Sequence, residues 1–311
     1  MSAAFKYAEA LKNEELTATF IPYSSHVTKN AVKLANGDYI QTIRMQGAAH
    51  ESADVENINS WHDQLNNFMR NIASPNVALW SHVVRREYNE YPGGSFSPGF
   101  CYDFNEKYRE HVTVKKMLVN ELYLTIVYRP QPIKAVKWLD IFSKKDQKEM
   151  KQCQLDELEF LDDITGTALA SLDRYEPELL GCYEHKNNMF SEILEFLAFL
   201  INGEWRRFPL PRSEISEILA TSRPFFGNGG LMSLKGPTSS QYAGMVTIQE
   251  CPSLTCPGIL NDLLSMPFEF VLSQSFTFLS KPVATSRMKR QQARMVNAGD
   301  VAISQIEDIH D

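Results

Sequence analysis

Catalysis in this chain would have to come from its cysteines, histidines, carboxylates or a phosphate-binding loop, and the spacing of these residues limits what each can do. The cysteines are Cys101, Cys153, Cys182, Cys251 and Cys256. Their odd number and scattered placement suit free thiols in a reducing compartment. Only Cys251 and Cys256 lie close together, as C-x4-C, and no second Cys or His pair completes a zinc set. The histidines (His26, His50, His62, His82, His111, His185 and His310) show no paired spacing. Cys182 and His185, three apart, are the nearest approach to a thiol–imidazole pair. His82 reads as a core or sheet histidine. No G-x-x-x-x-G-K-[ST] string is present, so no Walker A loop is available to cradle phosphates. G-x-G-x-x-G, G-x-S-x-G and H-E-x-x-H are absent as well. The glycines of Phe226-Gly227-Asn228-Gly229-Gly230 and Lys235-Gly236-Pro237 read as turns.

Basic clusters remain. Arg85-Arg86 ends a strand pattern, Arg206 and Arg207 follow Trp205 in a proline-bounded loop, and Lys281, Arg287, Lys289, Arg290 and Arg294 crowd the start of the last helix. Trp and Arg are favoured anchors of protein interfaces. Trp205, Arg206, Arg207, Arg287, Arg290 and Arg294 are therefore the candidate contact residues. No catalytic, cofactor-binding or metal-binding residue is assigned.

The elements that must position these residues follow from the patterning. Ala31-Val-Lys-Leu-Ala, Asn36-Gly37 and an alternating Asp38–Gln46 predict a hairpin with a type I′ turn. Its second strand sets Tyr39, Gln41, Ile43 and Met45 on one face and Ile40, Thr42 and Arg44 on the other. Val55, Ile58, Trp61, Leu65, Phe68, Met69 and Ile72 recur at helical spacing, with Asp54 as N-cap. Val77–Arg85 predicts a strand, Phe100–Val114 a helix and Glu121–Arg129 a strand. The order β-β-α-β-α-β predicts an α+β fold, a split unit with a mainly antiparallel sheet and packed helices.

Asp146–Tyr175 predicts a long helix interrupted near Gly166, and Asn188–Ile201 a buried one. Together they suggest a helical hairpin, followed by a second small α+β part. That part holds a short helix over Ser213–Ala220 capped by Ser213, a helix over Gly258–Leu264, strands over Tyr242–Gln249 and Phe268–Phe278, and a terminal helix over Val283–Ile309. A division into residues 1–145 and 146–311 follows.

Lys plus Arg number 31 and Asp plus Glu 38, for a net charge of −7 over 311 residues. That balance argues against coating nucleic acid by bulk charge. The first residues lack the apolar core of a secretory leader. The most apolar window, Ile193–Ile201, is far short of the roughly 20 residues a membrane span needs, and it contains Glu195.

Several strings carry a resemblance: Phe20-Ile-Pro-Tyr-Ser-Ser-His-Val27, Trp80-Ser-His-Val-Val-Arg-Arg86, Asn120-Glu-Leu-Tyr-Leu-Thr-Ile-Val-Tyr-Arg129, Leu200-Ile-Asn-Gly-Glu-Trp205 and Gln274-Ser-Phe276. In this order they resemble the N-terminal region of the CagE/TrbE/VirB family, the ATPases of bacterial type IV secretion and conjugation. The resemblance runs from about Phe20 to the C-terminus. It implies an assembly and docking domain that stops before a RecA-like motor. ATP and Mg are expected in that motor and no cofactor in this chain, which is therefore expected to be inactive alone. The implied partners are further copies in a dimer or hexamer, small inner-membrane subunits, the inner-membrane scaffold and the motor itself. The implied location is the bacterial cytoplasm, on the cytoplasmic face of the inner membrane, and the implied role is in pilus biogenesis and DNA or protein transfer. On the residues alone, two other readings stay open: a nucleic-acid adaptor of the conjugation machinery, and a self-contained enzyme built on a Cys or His site.

Overall fold

The computed structural model describes residues 15–48, 54–88, 91, 94–113, 117–130, 144–227, 229–237, 239–248 and 258–298. Cys251, Cys256, His50 and His310, and the far end of the expected terminal helix, lie outside them.

Seven antiparallel strands make the central sheet. They are β1 (Tyr23–His26), β2 (Val32–Leu34), β3 (Tyr39–Met45), β4 (Val77–Glu87), β5 (Leu118–Tyr128), β6 (Pro177–Leu179) and β12 (Phe270–Thr277). The order across the sheet is β1-β2-β3-β5-β4-β12, with β6 pairing the other half of β3's outer edge. The sheet therefore takes strands from both sides of the 145/146 division. The fold is α+β.

Strand alternation sorts the side chains onto two faces, and each face has its own helices. Tyr39, Ile43, Val77, Leu79, Leu124 and Ile126 pack with Phe68 and Ile72 of the α1 segment (helix Val55–Asn71 and its C-cap). Leu158, Leu161, Ile164 and Ala168 of α3 (Lys144–Ser171) complete that cluster. On the opposite face Ile40, Ala78, Val84, Tyr123 and Val127 pack with α4 (Glu192–Asn202) and with Ile215 and Leu219 of α5 (Ile215–Leu219). The result is three layers.

The expected helical hairpin is not formed. α3 and α4 lie on opposite faces of the sheet, and β6 and a hairpin of β7 (Cys182–His185) and β8 (Asn188–Ser191) run between them. Asn188–Ser191, expected as helix, is strand because Ser191 is the true N-cap. Its Oγ accepts from the Leu194 amide, 3.2 Å away. α3 runs through Gly166 without a break.

Turn chemistry also differs. Gly37 has φ +93°, but Asn36 has no positive φ. The Gly37 amide donates to Leu34 O, and the Leu34 amide to Asp38 O. That is a three-residue loop ending in a left-handed glycine, not a type I′ turn. The type I′ position is Lys186-Asn187 in the β7–β8 hairpin, where φ is 50° and 61°.

Asp54 is the N-cap of α1 but makes no side-chain cap bond, and Val55 and Leu65 of the expected stripe are exposed. Ser213 does not cap α5, whose N-cap is Glu214. The helix expected over Gly258–Leu264 is a 3₁₀ turn over Asn261–Ser265. The strand expected over Tyr242–Gln249 is β11 (Ser240–Gly244), which forms a separate three-stranded sheet with β9 (Arg223–Phe226) and β10 (Leu231–Lys235). α2 (Phe100–Thr113) and α6 (Lys281–Ala298) are the remaining α-helices of the described residues.

Candidate assembly surface

Reactive side chains inside the fold are tied to one another. Ser191 and His26 form a close pair, with Nε2 2.7 Å from Ser191 Oγ and Nδ1 2.9 Å from Thr28 O. The carbonyl fixes the tautomer: Nδ1–H donates to Thr28 O, so Nε2 accepts the Ser191 hydroxyl. Ser191 is fully buried and already caps α4. The pair therefore joins β1 to α4 and presents no nucleophile to solvent. Burial holds His26 below the usual histidine range.

The Cys182 thiol is buried, and burial pushes its pKa up, away from the thiolate. His185, the partner suggested by spacing, is engaged elsewhere: Arg207 Nη1 donates to its Nε2 at 2.7 Å. Glu195 is buried and held above the usual carboxylate range by desolvation. Tyr183 Oη donates to its Oε1 at 2.7 Å, and the Phe208 amide at 3.3 Å. These bonds explain an acid inside the most apolar helix.

The string Leu200–Trp205 makes a corner. Asn202 Nδ2 donates to Ala198 O and Leu219 O, both at 2.8 Å. Its Oδ1 accepts from the amides of Thr221 and Ser222 and from Ser222 Oγ, at 3.0, 2.9 and 2.8 Å. One buried amide thus locks α4 to α5. Gly203 ends α4 with φ +70°, and a Cβ there would collide with the Gln241 side chain. Glu204 accepts from Arg206 at 2.7 Å and from Ser239 Oγ at 3.1 Å, which ties the three-stranded sheet to the corner. The Arg206 bond holds the Glu204 carboxyl below its usual range.

Trp205 is half-buried. Its ring packs 5.3 Å from Phe199 and 6.3 Å from Tyr123, with the Arg86 guanidinium 5.1 Å from its centroid. Arg86 in turn forks onto Glu121 at 2.9 and 2.8 Å, and Tyr123 Oη donates to the same carboxylate at 3.1 Å. Burial, then Glu121, raises the Tyr123 phenol well above its usual range. Of the six candidate contact residues, Trp205, Arg206 and Arg207 are thus gathered at this corner with internal partners. Arg287, Arg290 and Arg294 stand apart from them on α6.

α6 is the basic element. Arg287, Arg290 and Arg294, at i, i+3 and i+7, share one face, and all three are exposed. Lys281–Ala298 contains no acidic residue. No ion pair involves these three arginines among the described residues.

Three further exposed features were not singled out by sequence. On α2, Phe100, Phe104 and Tyr108 stack at i, i+4 and i+8 with centroids 6.0 and 6.4 Å apart, and Phe100 is 81% exposed. Their spacing was readable. The stripe points outward, however, and spacing does not report direction. On and beside the small sheet, Phe226, Leu231, Tyr242, Met245 and Val246 are all more than 60% exposed. The third feature is β12, at the edge of the main sheet. Among the described residues no group of His, Cys, Asp and Glu could hold a metal ion, and no helix is long and apolar enough to cross a membrane.

Comparison with known proteins matches two stretches of the chain to families of the secretion machinery. Residues 30–135 match the family model described as type IV secretion system ATPase VirB4/TrbE, N-terminal domain. Residues 178–311 match the CagE, TrbE, VirB family, component of type IV transporter system. The chain belongs to this family.

Among its relatives, the type IV secretion system protein virB4 of Brucella suis biovar 1 (strain 1330) is 36% identical over 316 residues, which is 99% of this chain and 38% of that protein. The virB4 protein of Bartonella quintana (strain Toulouse) is 33% identical over 299 residues, 96% of this chain and 38% of that protein. PtlC of Bordetella pertussis (strain Tohama I / ATCC BAA-589 / NCTC 13251) is 32% identical over 311 residues, 97% of this chain and 37% of that protein. The chain therefore spans well under half the length of these curated relatives.

Proposed function

We propose that this region is the assembly and docking part of a type IV secretion ATPase. It supports pilus biogenesis and the transfer of DNA or protein, while ATP and Mg are bound by the motor portion of the full-length protein. Its partners on this reading are that motor, further copies of itself in a dimer or hexamer, small inner-membrane subunits and the inner-membrane scaffold. It works on the cytoplasmic face of the inner membrane. One observation carries the reading: His26, Ser191, His185 and Glu195 are spent on internal bonds, whereas large aromatic side chains and the arginine stripe of α6 face outward. Interfaces use such residues.

The test is charge reversal at Arg290 and Arg294 in a cell carrying the secretion system. Loss of co-purification with the inner-membrane complex, with the fold unchanged by circular dichroism, is expected. Undiminished association would overturn the reading, as would ATP hydrolysis by the 311-residue chain alone. The five cations of α6 also favour a second reading, a nucleic-acid adaptor, which predicts single-stranded DNA binding that falls steeply with salt.

A further inference from the structure

β12 breaks the rule by which sheet edges are protected. It pairs with β4 along all eight residues, from Phe270 opposite Arg85 to Thr277 opposite Ala78. Its other edge pairs with no described strand. The strand, Phe-Val-Leu-Ser-Gln-Ser-Phe-Thr, holds no charge and no proline. Its pairing with β4 shows no register shift. Long uncharged edges of this kind are templates for further pairing. The opposite end of the sheet is blunted in the usual way, since β1 has four residues and a register shift between Tyr23 and Ser25. Val271 and Phe276 are 41% and 43% exposed, so both faces of β12 meet solvent, not only its edge.

The side chains say what fits this edge. In an antiparallel pair related by a two-fold axis through one residue, position i faces position 2a − i of the partner, where a is the residue on the axis, and both lie on the same face. With the axis at Gln274, Ser273 faces Ser275, Leu272 faces Phe276, Val271 faces Thr277 and Phe270 faces Phe278. Each pair matches in kind: hydroxyl with hydroxyl, large apolar with large apolar, β-branched with β-branched, aromatic with aromatic. Such matched cross-strand pairs stabilise sheets.

Charge agrees. Glu87 and Glu269 stand together at the start of β12, where the Glu87 amide donates to Glu269 Oε1 at 2.7 Å, and the basic helix α6 begins at Lys281 after its end. Antiparallel pairing about Gln274 sets Glu269 of each copy opposite Leu279 of the other, two residues from Lys281, while Arg85 and Arg86 of β4 stand beside the same end. We infer that β12 pairs with β12 of a second copy of this chain about Gln274, joining two seven-stranded sheets into one. This rests on the assembly reading for its setting and names one partner and one surface for it.

The test uses the whole 311-residue chain in sedimentation equilibrium over about 1–100 µM, the range in which a moderate dimer is resolved. A dimer is expected. Ser273→Lys with Ser275→Lys places two Lys–Lys pairs across the axis and weakens association about tenfold or more. Ser273→Lys with Ser275→Glu turns both into Lys–Glu pairs and restores association to within about twofold of the parent. Gln274→Cys yields a disulfide-linked dimer on mild oxidation, above the background of the unsubstituted chain, because facing residues bring Cα atoms within disulfide reach. Ser273→Cys does not. All these positions are exposed, so the circular dichroism of every variant matches the parent.

A chain that stays monomeric throughout overturns the inference. So does a dimer indifferent to the double lysine, or one not restored by the Lys–Glu variant. The charge reversal on α6 is read separately. A monomeric chain that still binds the inner-membrane complex through α6 defeats the β12 inference alone. A β12 dimer indifferent to α6 and absent from that complex defeats the docking reading alone.

Discussion

Asn202→Ala tests the corner that holds α4, α5 and the Trp205 loop in register. The amide serves five polar groups at 2.8–3.0 Å, and the residue is 8% exposed. Ala198 O remains in the helix ladder after the substitution, and Ser222 Oγ can turn to another acceptor. The Thr221 amide and Leu219 O keep their bond to each other at 3.0 Å, and the buried Ser222 amide is left without its partner. That orphan costs about 1–3 kcal/mol, and the weakened bonding of Leu219 O and Thr221 adds to it. Water entering the vacated space recovers part of that, which leaves about 2 kcal/mol. This is a large fraction of the roughly 5–15 kcal/mol that holds a domain folded.

Urea denaturation followed by tryptophan fluorescence reads it as a lower midpoint at unchanged slope. Ser222→Ala removes one donor while Asn202 Oδ1 keeps two amides, so its cost should stay near or below about 1 kcal/mol. Limited proteolysis should show earlier cleavage around residues 203–222 in Asn202→Ala only. A loss under about 1 kcal/mol for Asn202→Ala would refute the view that this one side chain organises the corner.

Other consequences are as direct. Trp205→Ala removes a half-buried ring from Phe199, Tyr123 and Arg86, and thermal unfolding should show a loss of about 2 kcal/mol. Burial holds both His26 and His82 below the ordinary value of 6.5, so the unfolded chain takes up protons more readily than the folded one. Their contribution to stability is complete above that value and is lost as pH falls below it. The melting temperature should drop between pH 7.5 and 5.5, and His82→Phe should flatten the fall, since His82 Nδ1 also has no hydrogen-bond partner among the described residues. Phe100→Ser with Phe104→Ser alters only exposed rings on α2 and should leave the urea midpoint within about 0.5 kcal/mol of the parent, while weakening any contact that uses the stripe.

Local pattern was enough for much of this protein. Alternation in Tyr39–Met45 and Val77–Glu87 assigned each residue to its face, because strand geometry leaves side chains two directions and burial on either face selects the register. The α+β class followed from the order of those elements, and the family from strings such as Leu200–Trp205 and Trp80–Arg86. Tertiary structure decided the rest. Whether Asn36-Gly37 closes a two- or three-residue loop depends on how β2 meets β3, since Gly37 suits either turn. Asn188–Ser191 became strand because Ser191 found His26, 165 positions away in sequence, and capped α4. The two long helices could not be placed on opposite faces by periodicity, which reports an apolar stripe without naming what covers it. The same limit hid the outward direction of Phe100, Phe104 and Tyr108. Trp205 and its arginines read alike as interface or core, and only the approach of Glu121, Tyr123 and Glu204 showed what holds them. β12 reads from its residues as an ordinary strand. Its place at the open edge of the sheet is set by β4, nearly 200 residues earlier in the chain, and only that pairing makes its symmetry about Gln274 matter.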